Sequence, residues 1–239
     1  MDARDRLNCA LEFPTFDEAK ALVEEQGDAV TFYKVGMELF YGAGPDIIRY
    51  LKEKDKKVFL DLKLQDIPNT VAHSLAVLTR LGADIMNVHA VGGSKMMAEG
   101  MKAVKEAAAE LGRPAPKLIA VTVLTSMDEA QWKPLNYARP IGEEVLDLAA
   151  LTKESGLDGV VASPREAAGI RERCGKDFLI VTPGVRPAWA ASNDQSRIAT
   201  PAAAIGNGST HLVVGRPITQ ADNKQEAVRK ILEEMEGAF

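Results

Sequence analysis

Short apolar runs alternate with longer segments of helical patterning along most of this chain. Each run holds three to eight residues, which is the length of a strand buried on both faces. Gly, Pro or charged residues separate each run from an amphipathic segment whose apolar residues recur three or four positions apart. The runs predict eight strands, at 7–11, 31–35, 58–62, 85–88, 117–124, 159–161, 178–181 and 211–214.

Regular alternation of strand and helix is typical of a parallel sheet with helical crossovers. Eight such units in 239 residues predict an α/β fold, a single (β/α)8 TIM barrel that spans residues 1–239 as one domain. An open, doubly wound sheet is the alternative. In a barrel, the carboxyl ends of all strands meet at one rim, so polar residues that follow the strands are candidates for a site.

Composition and charge narrow the class of protein. The formal net charge of −5 argues against nonspecific binding of nucleic acid. No apolar run reaches 18 residues, so no transmembrane helix is expected, and the charged N-terminus predicts no signal peptide. Cys9 and Cys174 lie far apart in no metal-binding spacing, so we expect buried thiols and a cytoplasmic location.

An unusual cluster of charge follows the third predicted strand. Side chains at i and i+2 of a strand share a face, so Asp61 and Lys63 are expected to point the same way, with Asp66 just beyond the strand. Pro68 fits the first turn of the next helix. Two carboxylates would keep Lys63 charged, which suits it to donate a proton or to stabilise developing negative charge. A structural ion pair at a strand end is the alternative.

Polar residues at the ends of other predicted strands converge on the same rim. They are Lys34, His89, Thr125, Ser126, Arg186, Gly215 and Arg216. Loops after strands seven and eight of such barrels often bind phosphate, because glycine lets backbone N–H groups approach an anion and arginine offers a bidentate fork. These two loops therefore predict a phosphorylated ligand. Two glycine-containing turns with solvated arginines are the alternative.

Other common sites are absent from the sequence. No His-rich or carboxylate-rich spacing indicates a metal site, so we expect none. Nucleophile-elbow, P-loop and dinucleotide-binding motifs are missing as well. His89 is better explained as a hydrogen-bonded structural histidine than as a substrate contact.

The motif Asp61-x-Lys63-x-x-Asp66-Ile67-Pro68-x-Thr70 resembles that of the orotidine 5′-monophosphate decarboxylases, most closely the bacterial type. The resemblance extends over nearly the full length. It includes Lys34-Val35-Gly36, Val88-His89-Ala90, Leu124-Thr125-Ser126, Thr182-Pro183-Gly184-Val185-Arg186-Pro187, Asp194-Gln195-x-Arg197 and Val214-Gly215-Arg216-Pro217. It implies a homodimeric barrel that converts orotidine 5′-monophosphate to UMP and CO₂, the last step of pyrimidine nucleotide synthesis, without cofactor or metal.

The resemblance also implies roles for the charged residues. Lys63 would protonate C6 of the pyrimidine, and Asp61 would lie beside the substrate carboxylate and the developing carbanion. Asp66, with Thr70 near the ribose, would reach into the site of the neighbouring subunit. The implied substrate-binding residues are Glu12, Lys34, Thr70, Thr125, Ser126, Arg186, Gln195, Gly215 and Arg216.

One departure from the family pattern keeps other functions open. Glu12 stands where the family usually has Asp, which affects the expected contact with a ribose hydroxyl. The alternative enzyme is a sugar-phosphate lyase of the same superfamily, which shares Asp-x-Lys-x-x-Asp but uses Mg²⁺. The alternative without an activity is a barrel that only binds a phosphorylated ligand. Intact Asp61, Lys63 and Asp66 favour the decarboxylase.

Overall fold

A closed barrel of parallel strands forms the centre of the computed structural model, which describes residues 2–190 and 199–237. The strands are β1 (Leu7–Leu11), β2 (Phe32–Gly36), β3 (Lys57–Leu64), β4 (Ile85–His89), β5 (Lys117–Val121), β6 (Gly159–Val161), β7 (Leu179–Thr182) and β8 (His211–Val214). Each strand pairs with the next in sequence, and β8 pairs with β1 to close the sheet. The predicted (β/α)8 barrel is confirmed, and the open sheet is excluded.

One short helix precedes the first strand, and the other helices follow the strands and cover the outside of the sheet. They are α1 (Ala3–Arg6), α2 (Phe16–Gln26), α3 (Met37–Ala43), α4 (Asp46–Glu53), α5 (Pro68–Leu81), α6 (Gly93–Glu110), α7 (Glu129–Trp132), α8 (Ile141–Glu154), α9 (Ala167–Cys174), α10 (Pro201–Gly206), α11 (Arg216–Thr219) and α12 (Lys224–Glu236). Short 3-10 helices lie at Gly27–Ala29, Ala90–Gly92 and Lys133–Leu135. Pro68 occupies the first turn of α5, as predicted.

The interior of the barrel is filled by one apolar side chain, or two, from every strand. Its members are Ala10, Phe32, Phe59, Ile85, Ile119, Val121, Val161, Val181 and Val213. A larger apolar cluster lies between the sheet and the helices. Since side chains alternate along a strand, residues two positions after these interior residues also face the barrel axis. Lys34, Asp61 and Asn87 therefore point inward, above the apolar floor formed by Phe32, Phe59 and Ile85.

One predicted strand was too long. The apolar run at 117–124 predicted a strand of eight residues, but β5 ends at Val121, and Leu124 is 42% exposed. The residue pairing with β6 ends at Val121, and the N–H and the hydroxyl of Thr122 both donate to the carbonyl oxygen of Val161, at 3.2 and 2.9 Å. The chain thus turns at the rim three residues earlier than its hydropathy indicates, which places Val123 and Thr125 at the mouth of the barrel.

Candidate active site

Three charged side chains meet inside the mouth of the barrel. Lys63 Nζ lies 2.7 Å from Asp61 Oδ1, and Lys34 Nζ lies 3.5 Å from Asp61 Oδ2. Lys34 comes from β2, and the other two come from the neighbouring strand β3. A side chain at position 36 would crowd Lys34, because a Cβ there would lie 3.0 Å from its Nζ, so Gly36 leaves room for the ammonium. The predicted proximity of Asp61 and Lys63 is confirmed.

Backbone geometry at Lys63 is not that of a plain strand. Lys63 has a φ of +53°, a left-handed conformation that residues with a side chain rarely adopt. The pairing of β3 with β4 shifts at this point, since Leu60 pairs with Met86 and Leu64 with Val88. Asn87 lies opposite the extra residues. Its Oδ1 accepts from the Lys63 N–H at 2.8 Å, and its Nδ2 donates to Asp61 Oδ1 at 2.7 Å.

Sequence reasoning missed Asn87. The residue is 1% exposed and lies in the middle of β4, between Met86 and Val88. A carboxamide in an otherwise apolar buried strand needs hydrogen-bond partners, because burial without them is costly. The sequence signal for this residue is a single polar side chain in an otherwise apolar strand.

Burial and neighbouring charge act in opposite directions on Asp61. Burial alone would raise the pKa of its carboxyl group, but the ammonium groups of Lys34 and Lys63, with hydrogen bonds from Lys63 and Asn87, lower the pKa below its ordinary value. Asp61 is therefore held as a carboxylate, although it is only 8% exposed. The pKa of His89 is lowered as well, first by burial and then by the charge of Lys63, so neutral imidazole is favoured there.

The group formed by Lys34, Asp61 and Lys63 borders a cavity of about 210 Å³. Its lining residues are Glu12, Lys34, Phe59, Asp61, Lys63, Val121, Val123, Leu124, Thr125, Val161, Pro183 and Val213. One wall is charged and the rest is mostly apolar, as is usual for a site that binds a small molecule. A cavity of this kind can take a flat apolar group and present its edge to the ammonium of Lys63.

A second, smaller cavity of about 60 Å³ adjoins the first through Glu12, Pro183 and Val213, which line both. Its other lining residues are Ala10, Gly184, Arg186, Gly215 and Arg216. Ala10 comes from β1, and the other four residues follow β7 and β8, where the sequence predicted a phosphate site. Two arginines and two glycines make this cavity suitable for an anion.

Backbone and side chains both shape the smaller cavity. Arg186 is 7% exposed, and its Nη1 donates to the carbonyl oxygen of Val185 at 3.0 Å. Gly215 precedes α11, and a Cβ there would lie 3.1 Å from Glu12 Oε2. A side chain at 215 would therefore narrow the passage between the two cavities. Glycine at this position keeps the backbone accessible to a ligand.

Glu12 lies at the junction of the cavities rather than within the charged group. Its Oε1 is 3.9 Å from Lys34 Nζ, the limit of an ion pair, and its side chain is half exposed. Glutamate is one methylene longer than the aspartate that is usual at this position, and its carboxylate lies toward Gly215. Glu12 is thus placed between the cavity with the two arginines and the group formed by Lys34, Asp61 and Lys63.

Some residues predicted to form the site lie elsewhere in this chain. Asp66 and Thr70 are exposed, outside the lining of both cavities, and Asp66 Oδ1 accepts from the N–H of Ile67 at 2.6 Å. Ser126 is also exposed, whereas its neighbour Thr125 lines the larger cavity. Gln195 falls outside the residues that the structure describes. The rim therefore brings together Glu12, Lys34, Asp61, Lys63, Thr125, Arg186, Gly215 and Arg216.

Metal ligands do not gather in the described part of the chain. No group of three or more His, Cys, Asp or Glu residues there could hold a metal ion. Across residues 2–190 and 199–237, no helix has the length and apolar character needed to cross a membrane. Cys9 and Cys174 are both buried free thiols, as expected, and burial raises the pKa of Cys9 to about 12.

Comparison with known proteins identifies the family. The model described as “Orotidine 5'-phosphate decarboxylase / HUMPS family” matches residues 5–231. The chain belongs to this family. The orotidine 5'-phosphate decarboxylase of Moorella thermoacetica is 49% identical over 237 residues, which cover 99% of this chain and 94% of that protein. The Syntrophotalea carbinolica protein of the same name is 47% identical, covering 100% and 98%.

Solved structures of orotidine 5'-phosphate decarboxylases share the fold. That of Lactobacillus acidophilus has a TM-score of 0.86 and 41% identity, and it covers 97% of this chain and 99% of that chain. That of Pyrococcus horikoshii has a TM-score of 0.75 and 27% identity, with the same coverage. The family likeness noted in the sequence is confirmed over almost the whole chain.

Proposed function

We propose that this chain is an orotidine 5′-monophosphate decarboxylase, which forms UMP and CO₂ without metal or cofactor in the last step of pyrimidine nucleotide synthesis. One observation carries the proposal. The Lys34–Asp61–Lys63 group, in which Lys34 and Asp61 are buried, faces a cavity that continues into a second one with two arginines. A pyrimidine in the larger cavity and a phosphate in the smaller one would use both. The similarity to relatives named orotidine 5'-phosphate decarboxylase, at 49% and 47% identity, supports the same proposal.

The chemistry needs a cation where negative charge appears. Loss of CO₂ from C6 of the pyrimidine leaves an electron pair on that carbon with little delocalisation. The ammonium of Lys63, held in place by Asp61, stabilises that pair and then gives its proton to C6. The bond to the carboxylate carbon breaks, the C–H bond forms, and Lys63 recovers its proton from solvent. Asp61 lies next to the departing carboxylate and orients both lysines.

Binding energy comes from groups remote from C6. In this proposal Arg186, Gly215, Arg216 and Gln195 hold the phosphate, Lys34 and Glu12 contact the ribose, and Thr125 and Ser126 lie at the pyrimidine edge. Contacts with the phosphate supply energy that positions the reacting carbon against Lys63.

A homodimer completes the proposed site. Asp66 and Thr70 lie outside the cavities of their own chain, so in this proposal they serve the site of the partner subunit. The segments that follow β2, β3 and β4 support such an interface, because each carries an exposed apolar side chain. These are Tyr41 at 74%, Ile67 at 65% and Val91 at 42% exposure. Burying them against a second copy would remove apolar surface from water.

The activity is tested by adding purified protein to orotidine 5′-monophosphate in the presence of EDTA and following ultraviolet absorbance. Rapid conversion that is lost in Lys63→Ala supports the proposal. Lys117→Ala is the matched control, because Lys117 also pairs with an aspartate, Asp158, but at the opposite rim. No conversion by the unaltered protein would refute the proposal.

The shared site is tested by mixing two inactive variants. Lys63→Ala and Asp66→Ala each remove a residue from every site of a homodimer. A mixed dimer regains one intact site if Asp66 serves the partner, so about a quarter of the sites should work after random exchange. No recovery would show that Asp66 acts within its own chain.

Glu12 favours a second candidate, a sugar-phosphate lyase that depends on Mg²⁺. Its carboxylate adds to that of Asp61 at the same cavity, and paired carboxylates suit that ion. The same assay separates the two. Activity on a sugar phosphate that requires Mg²⁺, with none on the nucleotide, would favour the lyase.

A cytoplasmic location and a single domain over 1–239 stay predictions.

A further inference from the structure

Asp61 and Lys63 lie at an irregularity in the pairing of β3 with β4. Between Leu60 and Leu64, β3 advances four residues while β4 advances only two, from Met86 to Val88. The extra residues of β3 must leave the regular hydrogen-bond ladder, and a bulge of this kind redirects side chains. Lys63 lies in the bulge with a φ of +53°.

The side chain of Asn87 fills the gap that the bulge leaves in the ladder. Its Oδ1 accepts from the Lys63 N–H at 2.8 Å, and its Nδ2 donates to Asp61 Oδ1 at 2.7 Å. The same Asp61 oxygen accepts from Lys63 Nζ at 2.7 Å. These partners fix the orientation of the amide, since an N–H requires an acceptor and a carboxylate requires a donor.

We propose that Asn87 is a positioning residue, which holds the backbone of Lys63 and the carboxylate of Asp61 in the relation that the reaction needs. The inference rests on the proposed function. One amide ties the main chain of the proton donor to the counterion of its ammonium. Without it, Lys63 can relax from the left-handed conformation and its Nζ can move away from the reacting carbon.

A carboxamide of this length makes both hydrogen bonds without having to bind a proton. Ala or Leu would leave the N–H of Lys63 without its acceptor and would remove one of the two donors to Asp61 Oδ1, leaving Lys63 Nζ as the other. Asp would keep the acceptor for the Lys63 N–H, but it would put a second carboxylate against Asp61 in place of the donor. Asn87 is 1% exposed, so water does not readily replace the lost groups.

The first test compares Asn87→Ala with a matched variant, Asn8→Ala. Asn8 is also fully buried in a strand, but it lies near the start of β1 and donates to the Arg6 carbonyl oxygen at 3.4 Å. We expect kcat of Asn87→Ala to fall about 100-fold, because small displacements of a reacting group cost this much. Its affinity for UMP and the kcat of Asn8→Ala should stay near those of the unaltered protein.

Asn87→Asp gives a second readout that does not depend on the first variant folding. A protonated carboxyl group can accept from the Lys63 N–H and donate to Asp61, as the amide does, and two adjacent carboxyl groups favour the protonation of one of them. The kcat of Asn87→Asp relative to the unaltered protein should therefore rise as pH falls. The other ionisable groups that face this position are Lys34, Lys63 and His89, with Glu12 beside Lys34, and all are present in both proteins.

Three results would overturn the inference. They are an unchanged kcat in Asn87→Ala, an equal loss in Asn8→Ala, and a pH profile of Asn87→Asp parallel to that of the unaltered protein. If the unaltered protein does not convert orotidine 5′-monophosphate, the proposed function fails on its own. Crystal structures of the unaltered protein and of Asn87→Ala then test whether Asn87 holds Lys63. An unchanged conformation of Lys63 in Asn87→Ala would refute the positioning role.

Discussion

Both rims of the barrel pair an aspartate with a lysine, but the other partners of the aspartate differ between the rims. At the amino-terminal rim, Asp84 Oδ2 accepts from Lys52 Nζ at 2.8 Å and from the backbone N–H of Val58 at 2.7 Å. Asp158 does the same with Lys117 and the N–H of Leu118, at 2.8 and 2.9 Å. Each of these carboxylates joins the start of one strand to the start of the next.

Asp61 at the opposite rim accepts from side chains instead. Its two oxygens face Lys63, Lys34 and the amide of Asn87. The side chains of Lys34 and Asp61 are 10% and 11% exposed, against 35% and 36% for the Lys52–Asp84 pair. An aspartate–lysine pair is therefore no sign of a reaction by itself. Burial beside a cavity, without a strand N–H as partner, distinguishes the candidate site.

The sharpest test of this comparison removes one carboxylate from each rim. Asp61→Ala should lower kcat about 100- to 1,000-fold, because the two lysines lose the group that orients them and preorganised charge is a large term in catalysis. Steady-state kinetics with orotidine 5′-monophosphate measure the effect. Asp158→Ala should keep its kcat. An equal loss of kcat in the two variants would contradict the distinction between the two rims.

A second test concerns the smaller cavity at the carboxyl-terminal rim, which is the proposed phosphate site. Arg216→Ala should raise KM about 10- to 100-fold, since a charge-assisted hydrogen bond to phosphate contributes this much. Arg80→Ala is the control, because Arg80 pairs with Glu110 at 2.8 Å on the helical surface, away from both cavities. A KM for Arg216→Ala equal to that of the control would remove Arg216 from the site.

A third test uses pH at the amino-terminal rim, where His211 is 6% exposed. Burial, then the charges of Arg6 and Lys57, lower the pKa of His211 to about 4. Because the folded pKa lies below the unfolded value of about 6.5, the unfolded chain binds the proton more readily and stability falls as pH falls. Between pH 7 and pH 5 this residue should cost about 2 kcal/mol of the free energy of unfolding.

Denaturant titrations of the unaltered protein and His211→Gln at the two pH values measure that difference. The variant should lose about 2 kcal/mol less on acidification. His73→Gln, at an exposed position of α5, should behave as the unaltered protein does. The same pH dependence in all three proteins would assign the effect to other groups.

The smallest effect is expected at a pair of the amino-terminal rim. Asp84→Asn keeps an acceptor for the N–H of Val58 and loses only the charge that faces Lys52. The free energy of unfolding should drop by about 0.5 kcal/mol, as for a partly exposed ion pair, and kcat should not change. Denaturant titration and the kinetic assay measure both quantities. A fall in kcat would place function at this rim too.

Much of the molecule could be predicted from the order of its residues. Eight buried strands separated by helical segments indicate a parallel barrel, because hydrophobic periodicity is local and βα crossovers leave few topologies open. The end of a strand could not be located as well, as β5 shows, since Thr122 and Val123 are as compatible with a strand as with a turn. Only the neighbouring strand decides where pairing stops.

The sequence by itself determined which residue types stand at the strand ends, and so it determined the family and the candidate charges. Tertiary structure decided which of them meet. It joined Lys34 of β2 to Asp61 of β3, left Asp66 and Thr70 outside their own chain's cavities, and set Asn87 of β4 against the bulge at Lys63. The physical reason is that a bulge and its partner belong to two strands, and their register is fixed only when the barrel closes.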